Sequence, residues 1–262
     1  MTQGGPEPAI TVAEDLRMRF HAHSDETALV ADVGAALLDA VLAGLEHDGK
    51  ALVLLSGGST PIPVYRAVAA RLADLRGLTI GLVDDRWVAP DSPGSNATMI
   101  RDMLRAGAPA DANVDTNAAA REGVQFWPLV DWSRERAQSV ALANERLQSI
   151  GLAPCFVLFG MGDDGHTASL FPGSPQLDSA LASADAYVAL DADGCPGAGK
   201  WPHRITLTPR GWLHARRRVL LIRGTHKREV LERAAREADA RTFPVRAALA
   251  IGDASLDVHW CP

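Results

Sequence analysis

Ala51-Leu52-Val53-Leu54-Leu55-Ser56-Gly57-Gly58-Ser59-Thr60-Pro61 carries the pattern that decides the fold class. Five consecutive apolar residues are too few for a helix and lack the alternation of a half-buried strand. They read as a strand covered on both faces, which is the situation inside a parallel sheet. Ser56 to Thr60 make a turn, and Pro61 suits the first position of a helix running to about Leu75.

The same unit recurs outward from this stretch. Leu78 to Val83 is a second apolar run, stopped by Asp84-Asp85. Ser133 to Ile150 reads as an amphipathic helix and is followed by the apolar Cys155 to Phe159. Val219 to Ile222 passes through Gly224 into a helical Thr225 to Ala238. Upstream, Glu26 to Leu45 spaces its apolar residues as a long helix does, and Leu16 to Ala22 reads as an edge strand. No internal repeat and no long linker interrupts the series. The expectation is α/β: a single Rossmann-like domain over residues 1–262, with a largely parallel sheet flanked by helices on both faces and residues 1–8 as a flexible N-terminus. Ligands in such sheets sit beyond the carboxyl ends of the strands, where the strand order reverses.

Composition narrows the class. The chain has 262 residues, 47% hydrophobic and 22% charged, which is globular rather than disordered or fibrous. A net charge of −6 argues against a general nucleic-acid binder. No uninterrupted apolar run approaches the roughly 18–20 residues of a membrane helix, and Met1 to Pro8 does not read as a signal peptide. Cys155, Cys195 and Cys261 are widely spaced with no Cys-x-x-Cys pair, so a reducing cytoplasm is the expected location. Only Lys50, Lys200 and Lys227 stand among 26 basic residues; the rest are arginine.

Five segments carry chemistry, each at the end of an apolar run or beside a glycine. Ser56 to Pro61 is a credible phosphate cradle, because exposed N–H groups at a helix N-terminus attract anions. It is not a Walker A loop, and Pro61 stands where a nucleophile elbow would need glycine. Asp84-Asp85-Arg86 offers carboxylates for a sugar hydroxyl and a guanidinium for phosphate, or a plain surface ion pair. Gly160-Met161-Gly162-Asp163-Asp164-Gly165-His166 imitates a dinucleotide fingerprint with Asp185 some way on. Asp163 and Asp164 would repel a pyrophosphate, however, and Pro172 and Pro175 would cut the following helix short. The better reading is a turn presenting Asp164 and His166, with His166 suited to proton transfer; a histidine capping a short helix is the plainer alternative. No further ligand stands at metal spacing around Asp164 and His166, so no metal is expected there. Lys200 with Arg204 to Thr208, and Gly224 to Lys227, complete the set.

Taken together and in order, these segments resemble the 6-phosphogluconolactonases, within the fold group of glucosamine-6-phosphate deaminases and ribose-5-phosphate isomerases. The carrying elements are Ser56 to Pro61, Asp84 to Arg86 with Ser95-Asn96, Gly160 to Pro172, Arg204-x-Thr206-x-Thr208 and Gly224-x-x-Lys227. Asp85 departs from the pattern, where glutamate is expected. The resemblance implies hydrolysis of 6-phospho-D-glucono-1,5-lactone to 6-phosphogluconate in the pentose phosphate pathway, without cofactor or metal. His166 would be the general base, with Asp164 orienting its imidazole or a substrate hydroxyl. Gly57, Gly58, Ser59, Thr60, Arg86, Arg204 and Lys227 would hold the 6-phosphate, and Asp84 would belong to the substrate-binding set. The expected partner is a small sugar-phosphate lactone, not a nucleic acid or a membrane, and a monomer is favoured.

Two other readings stay open. An aldose–ketose isomerising deaminase would resemble this chain around Asp-Gly-His but continues with Asn-Glu-Pro; here Ser169-Leu170-Phe171-Pro172 has no acid, and Arg86 stands where a tyrosine is expected. A non-catalytic sugar-phosphate sensor would carry a DNA-binding module, for which the chain has neither spare length nor a basic end.

Overall fold

The apolar runs form the centre of one eight-stranded sheet. The computed structural model describes residues 18–107, 114–115, 124–237, 239–249 and 256–262. The N-terminal stretch 1–8 and the first residues of the expected edge strand lie outside them. The strands are β1 Met18–Ala22, β2 Ala51–Leu55, β3 Leu78–Leu82, β5 Val114–Asp115, β6 Val124–Phe126, β7 Phe156–Phe159, β10 Arg218–Arg223 and β11 Leu256–Cys261, while β4 Asp84–Arg86, β8 Tyr187–Asp191 and β9 His203–Leu207 lie in a second sheet. Their order is β1-β11-β10-β7-β2-β3-β6-β5, and every pairing is parallel. All residues of β2, β3 and β7 are buried, which is why they read as continuous apolar runs.

Helices connect these strands: α1 Glu26–Asp48, α2 Ile62–Ala73, α3 Asn96–Gly107, α4 Arg136–Ile150, α5 Leu177–Leu181, α6 Pro209–Trp212, α7 Thr225–Arg236 and α8 Arg246–Leu249. Helix α1 starts where Asp25 accepts a hydrogen bond from the Ala28 N–H at 2.9 Å and ends at Gly49, whose φ of 67° suits glycine. By length and mean apolarity α1 could cross a membrane, although Asp32 and Asp39 interrupt its apolar sequence. It packs instead on the sheet, burying Leu29, Val33, Leu37 and Val41 while Asp32 and Asp39 face outward. Helix α4 begins at Arg136 rather than Ser133. Asp131 accepts from the Ser133 N–H and side chain and from Arg134, folding residues 131–134 into a turn, and Glu135 with Gln138 forms a capping box.

The second sheet was not foreseen. Strands β4 Asp84–Arg86, β9 His203–Leu207 and β8 Tyr187–Asp191 pair antiparallel in the order β4-β9-β8. It is pinned to the end of the main sheet: the Leu207 N–H donates to Val83 O at 2.7 Å and the Tyr187 hydroxyl to Leu82 O at 2.7 Å. Asp84-Asp85-Arg86 is therefore a strand of its own, not the tail of the preceding run.

The strand order reverses between β2 and β7. From β2 the chain proceeds outward through β3 and β6; from β7 it proceeds the other way through β10 and β11. The loops after β2 and β7 therefore part at this point and leave a crevice between them.

Candidate active site

The turn after β2 is shaped by what crowds it. A Cβ on Gly57 would lie 2.0 Å from Asn96 Oδ1, so only glycine fits. The Tyr65 hydroxyl donates to Ser56 O at 2.7 Å and anchors the turn to α2. Asn96 opens α3 and in turn donates through Nδ2 to Asp84 O at 3.0 Å.

Asp85 is fully buried behind this corner. Its carboxylate accepts N–H bonds from Asn96 at 2.7 Å, Arg86 at 2.8 Å and Ala97 at 3.1 Å, so it fastens the start of α3 to β4. Burial pushes its pKa up to about 7, against the pull of those three donors. The shorter acid thus meets three backbone donors and has a structural task. Its neighbour Asp84 accepts from the Ser169 hydroxyl at 2.5 Å and lies 3.8 Å from the Arg204 guanidinium.

After β7 the chain turns tightly. The Gly162 N–H donates to His166 O at 2.8 Å, and Gly165 has φ 78°. No helix starts there; the next one is the short α5, which removes the dinucleotide-binding reading. Asp164 Oδ1 lies 2.6 Å from His166 Nδ1 and also accepts the His166 backbone N–H at 3.1 Å. Burial opposes ionisation of Asp164, but the hydrogen bonds and charge of His166 outweigh it and hold the carboxyl below its usual range. With Nδ1 engaged, Nε2 is the ring nitrogen left for a ligand. Ala168, just beyond, is the single non-glycine residue with positive φ (51°) among those described.

These groups meet around one cavity of about 250 Å³ at the crevice. Its walls include Gly57, Gly58, Ser59, Thr60, Asp84, Arg86, Asn96, His166, Ala168, Gly197, Arg204 and Lys227. Asp164 is not in the wall; it stands behind His166. Arg86 donates to Gly94 O at 2.8 Å and lies over the Trp201 ring, 5.5 Å from its centroid. Lys227 Nζ, at the start of α7, donates to Met161 O at 2.5 Å and pairs with Asp163 at 3.0 Å. Arg204 is only 3% exposed and donates to Trp201 O, Ala198 O and Ser169 Oγ at 2.7, 2.9 and 3.3 Å. Burial lowers its pKa to about 10, which still leaves it charged at neutral pH. Most of its donors are thus committed to bracing the loop before β9. Lys200 lies outside the wall, with Nζ 4.7 Å from the Trp201 ring centroid.

Residues 24–260 match the family described as Glucosamine-6-phosphate isomerases/6-phosphogluconolactonase. The chain belongs to this family. It is 40% identical over 252 residues to a 6-phosphogluconolactonase of Xylella fastidiosa (strain 9a5c), covering 96% of this chain and all of that one. It is 35% identical over 237 residues to one from Rhizobium meliloti (strain 1021), covering 90% and 93%. Among solved structures it is similar to a 6-phosphogluconolactonase from Shewanella baltica OS155, with a TM-score of 0.79 and 28% identity over 93% of this chain and 97% of that one. A monomeric glucosamine-6-phosphate deaminase shares the fold at a TM-score of 0.67 and 18% identity.

The cavity at β2 and β7 brings His166, backed by Asp164, to one wall with Arg86, Arg204 and Lys227. A larger cleft of about 360 Å³ lies at the amino ends of the strands, lined among others by Leu147, Pro154, Arg210 and His214; none of its titratable side chains are hydrogen-bonded to one another. The sequence reading missed Gly197, which lies in a 3-10 turn at Pro196–Ala198. A Cβ there would stand 2.3 Å from Asp164 Oδ2 and 2.8 Å from His166 Nδ1. The density of glycines from Gly194 to Gly199 was the available signal, but nothing in it named the partner.

Proposed function

We propose that this chain hydrolyses 6-phospho-D-glucono-1,5-lactone to 6-phosphogluconate, a step of the pentose phosphate pathway. The observation that carries the proposal is the Asp164–His166 pair, 2.6 Å apart, with the imidazole in the wall of a cavity rich in cations. His166 Nε2 removes a proton from water as it attacks the lactone carbonyl, then returns a proton to the ring oxygen as the C–O bond breaks. Asp164 fixes the tautomer and steadies the imidazolium formed in between. Lys227, Arg86 and the Gly57–Thr60 turn hold the 6-phosphate, so that its binding energy aligns the carbonyl with the base. Asp84 and Arg204 shape the floor of the cavity. The step needs no bound cofactor.

The proposed protein is a single domain spanning 1–262 that works in the cytoplasm on a small sugar-phosphate lactone. A deaminase reading lacks support, because the residues after His166 supply no second acid: Ser169 is buried and bonded to Asp84. The test is an assay in which the lactone is generated in situ and its disappearance timed with and without the protein. Disappearance no faster than in buffer would refute the proposal.

A further inference from the structure

Three imidazoles cluster at the β1 edge of the sheet. On β1 and the residues just after it, His21 and His23 alternate onto one face, and β11 places His259 opposite His21 in register. The His259 ring lies between the other two, with centroids 4.6 Å from His21 and 5.3 Å from His23. Helix α1, starting immediately downstream, brings Asp32 back over the same face.

Three donor atoms converge there. His23 Nε2 and His259 Nδ1 are 3.0 Å apart, Asp32 Oδ2 is 3.3 Å from His259 Nδ1, and it is 3.8 Å from His23 Nε2. A tetrahedral zinc ion with bonds of about 2.0–2.1 Å needs ligand–ligand edges of about 3.3–3.4 Å. The observed triangle brackets that value. His21 is not part of it, since its Nε2 points to Asp257 at 3.5 Å.

We propose that His23, His259 and Asp32 form a zinc-binding site, with water completing the coordination. Two imidazole nitrogens and one carboxylate suit a borderline-soft divalent ion such as zinc better than magnesium or calcium, which prefer oxygen donors. Asp32 is 54% exposed and His259 1%, so the ion reaches the site from the solvent side with a protein wall behind it. His259 Nε2 is buried without a hydrogen-bond partner. Metal-bound histidines normally donate through their second nitrogen, so the site binds more weakly than a closed four-ligand structural one. Its effect is to tie the edge strand β1 to α1 and β11.

The experiment uses tag-free, EDTA-stripped and desalted protein titrated with zinc chloride against a chromophoric chelator, alongside thermal unfolding. The expected result is one zinc bound per chain, more weakly than in a closed four-ligand site, and a rise in Tm with zinc. Asp32→Asn, whose side chain is half in solvent, and His23→Gln should each weaken binding by at least about tenfold, while His166→Asn should bind as the wild type does. Circular dichroism of Asp32→Asn checks that the fold is kept. The proposal is overturned if the wild type takes up no zinc, if Asp32→Asn and His23→Gln bind as the wild type does, or if His166→Asn is the variant that loses the ion.

Discussion

Gly197 and Asp164 approach so closely that a Cβ on the glycine would stand 2.3 Å from the carboxylate Oδ2. The turn at Pro196–Ala198 is held from behind by Arg204, which donates to Ala198 O. The loop before β9 therefore presses on the acid that orients His166.

A methyl group at this point should displace the pair rather than the core. Gly197→Ala is expected to keep the wild-type Tm within a few degrees while kcat falls by up to about 10²-fold, the cost of a misplacement of about 1 Å near the reacting atoms. Steady-state kinetics with a matched unfolding curve check this. Unchanged kcat would mean that Asp164 does not position the histidine.

The cations in the cavity predict a strong dependence on the substrate's phosphate. Hydrolysis of the phosphorylated lactone should far exceed that of unphosphorylated gluconolactone at equal concentration. Lys227→Ala should lower kcat/KM while leaving stability nearly unchanged, because its Nζ contacts Met161 O and the exposed Asp163 at the cavity mouth. Equal turnover of the two lactones would remove the phosphate argument, and an unaltered kcat/KM in Lys227→Ala would return that lysine to a surface role.

Much of this was legible in the chain because of where the strands sit. Residues buried on both faces must be apolar throughout, so Ala51–Leu55, Leu78–Leu82, Phe156–Phe159 and the middle of β10 declared themselves. Site residues that follow such strands could be placed with them. The antiparallel sheet could not be read in this way. Its first strand is the polar Asp84-Asp85-Arg86, and its partner His203–Leu207 lies far along the chain, so neither run announces the pairing. The same holds for Gly197 against Asp164 and for His23 with His259. These contacts join distant segments through backbone approach or strand register, and no local pattern encodes them.

One ion pair across the two layers sets a pH-dependent contribution to stability. Arg136 of α4 grips Asp191 of β8 with both terminal nitrogens, at 2.5 and 3.1 Å. That bond, aided by His203, lowers the Asp191 pKa to about 2. Because the folded value is depressed, the stabilisation is present above the unfolded value of about 3.9 and is lost as pH falls through about 2. Arg136→Gln should therefore cost about 0.5–1 kcal/mol at pH 7, and less as the pH is lowered toward 2. Urea unfolding of both proteins at pH 7 and pH 2.5 measures the difference. A cost that stays constant with pH would show that Arg136 acts through packing alone.

The central claim is that His166 activates the water. The decisive measurement is the turnover of His166→Asn on in-situ 6-phospho-D-glucono-1,5-lactone, with the hydroxide-driven background subtracted at each pH. Removing a general base costs roughly 10²–10⁴-fold. The account predicts a kcat reduced by that range, a KM little changed and a circular dichroism spectrum matching the wild type. Turnover near the wild-type rate after the correction would contradict it, leaving His166 as a structural partner of Asp164 and some other group as the base.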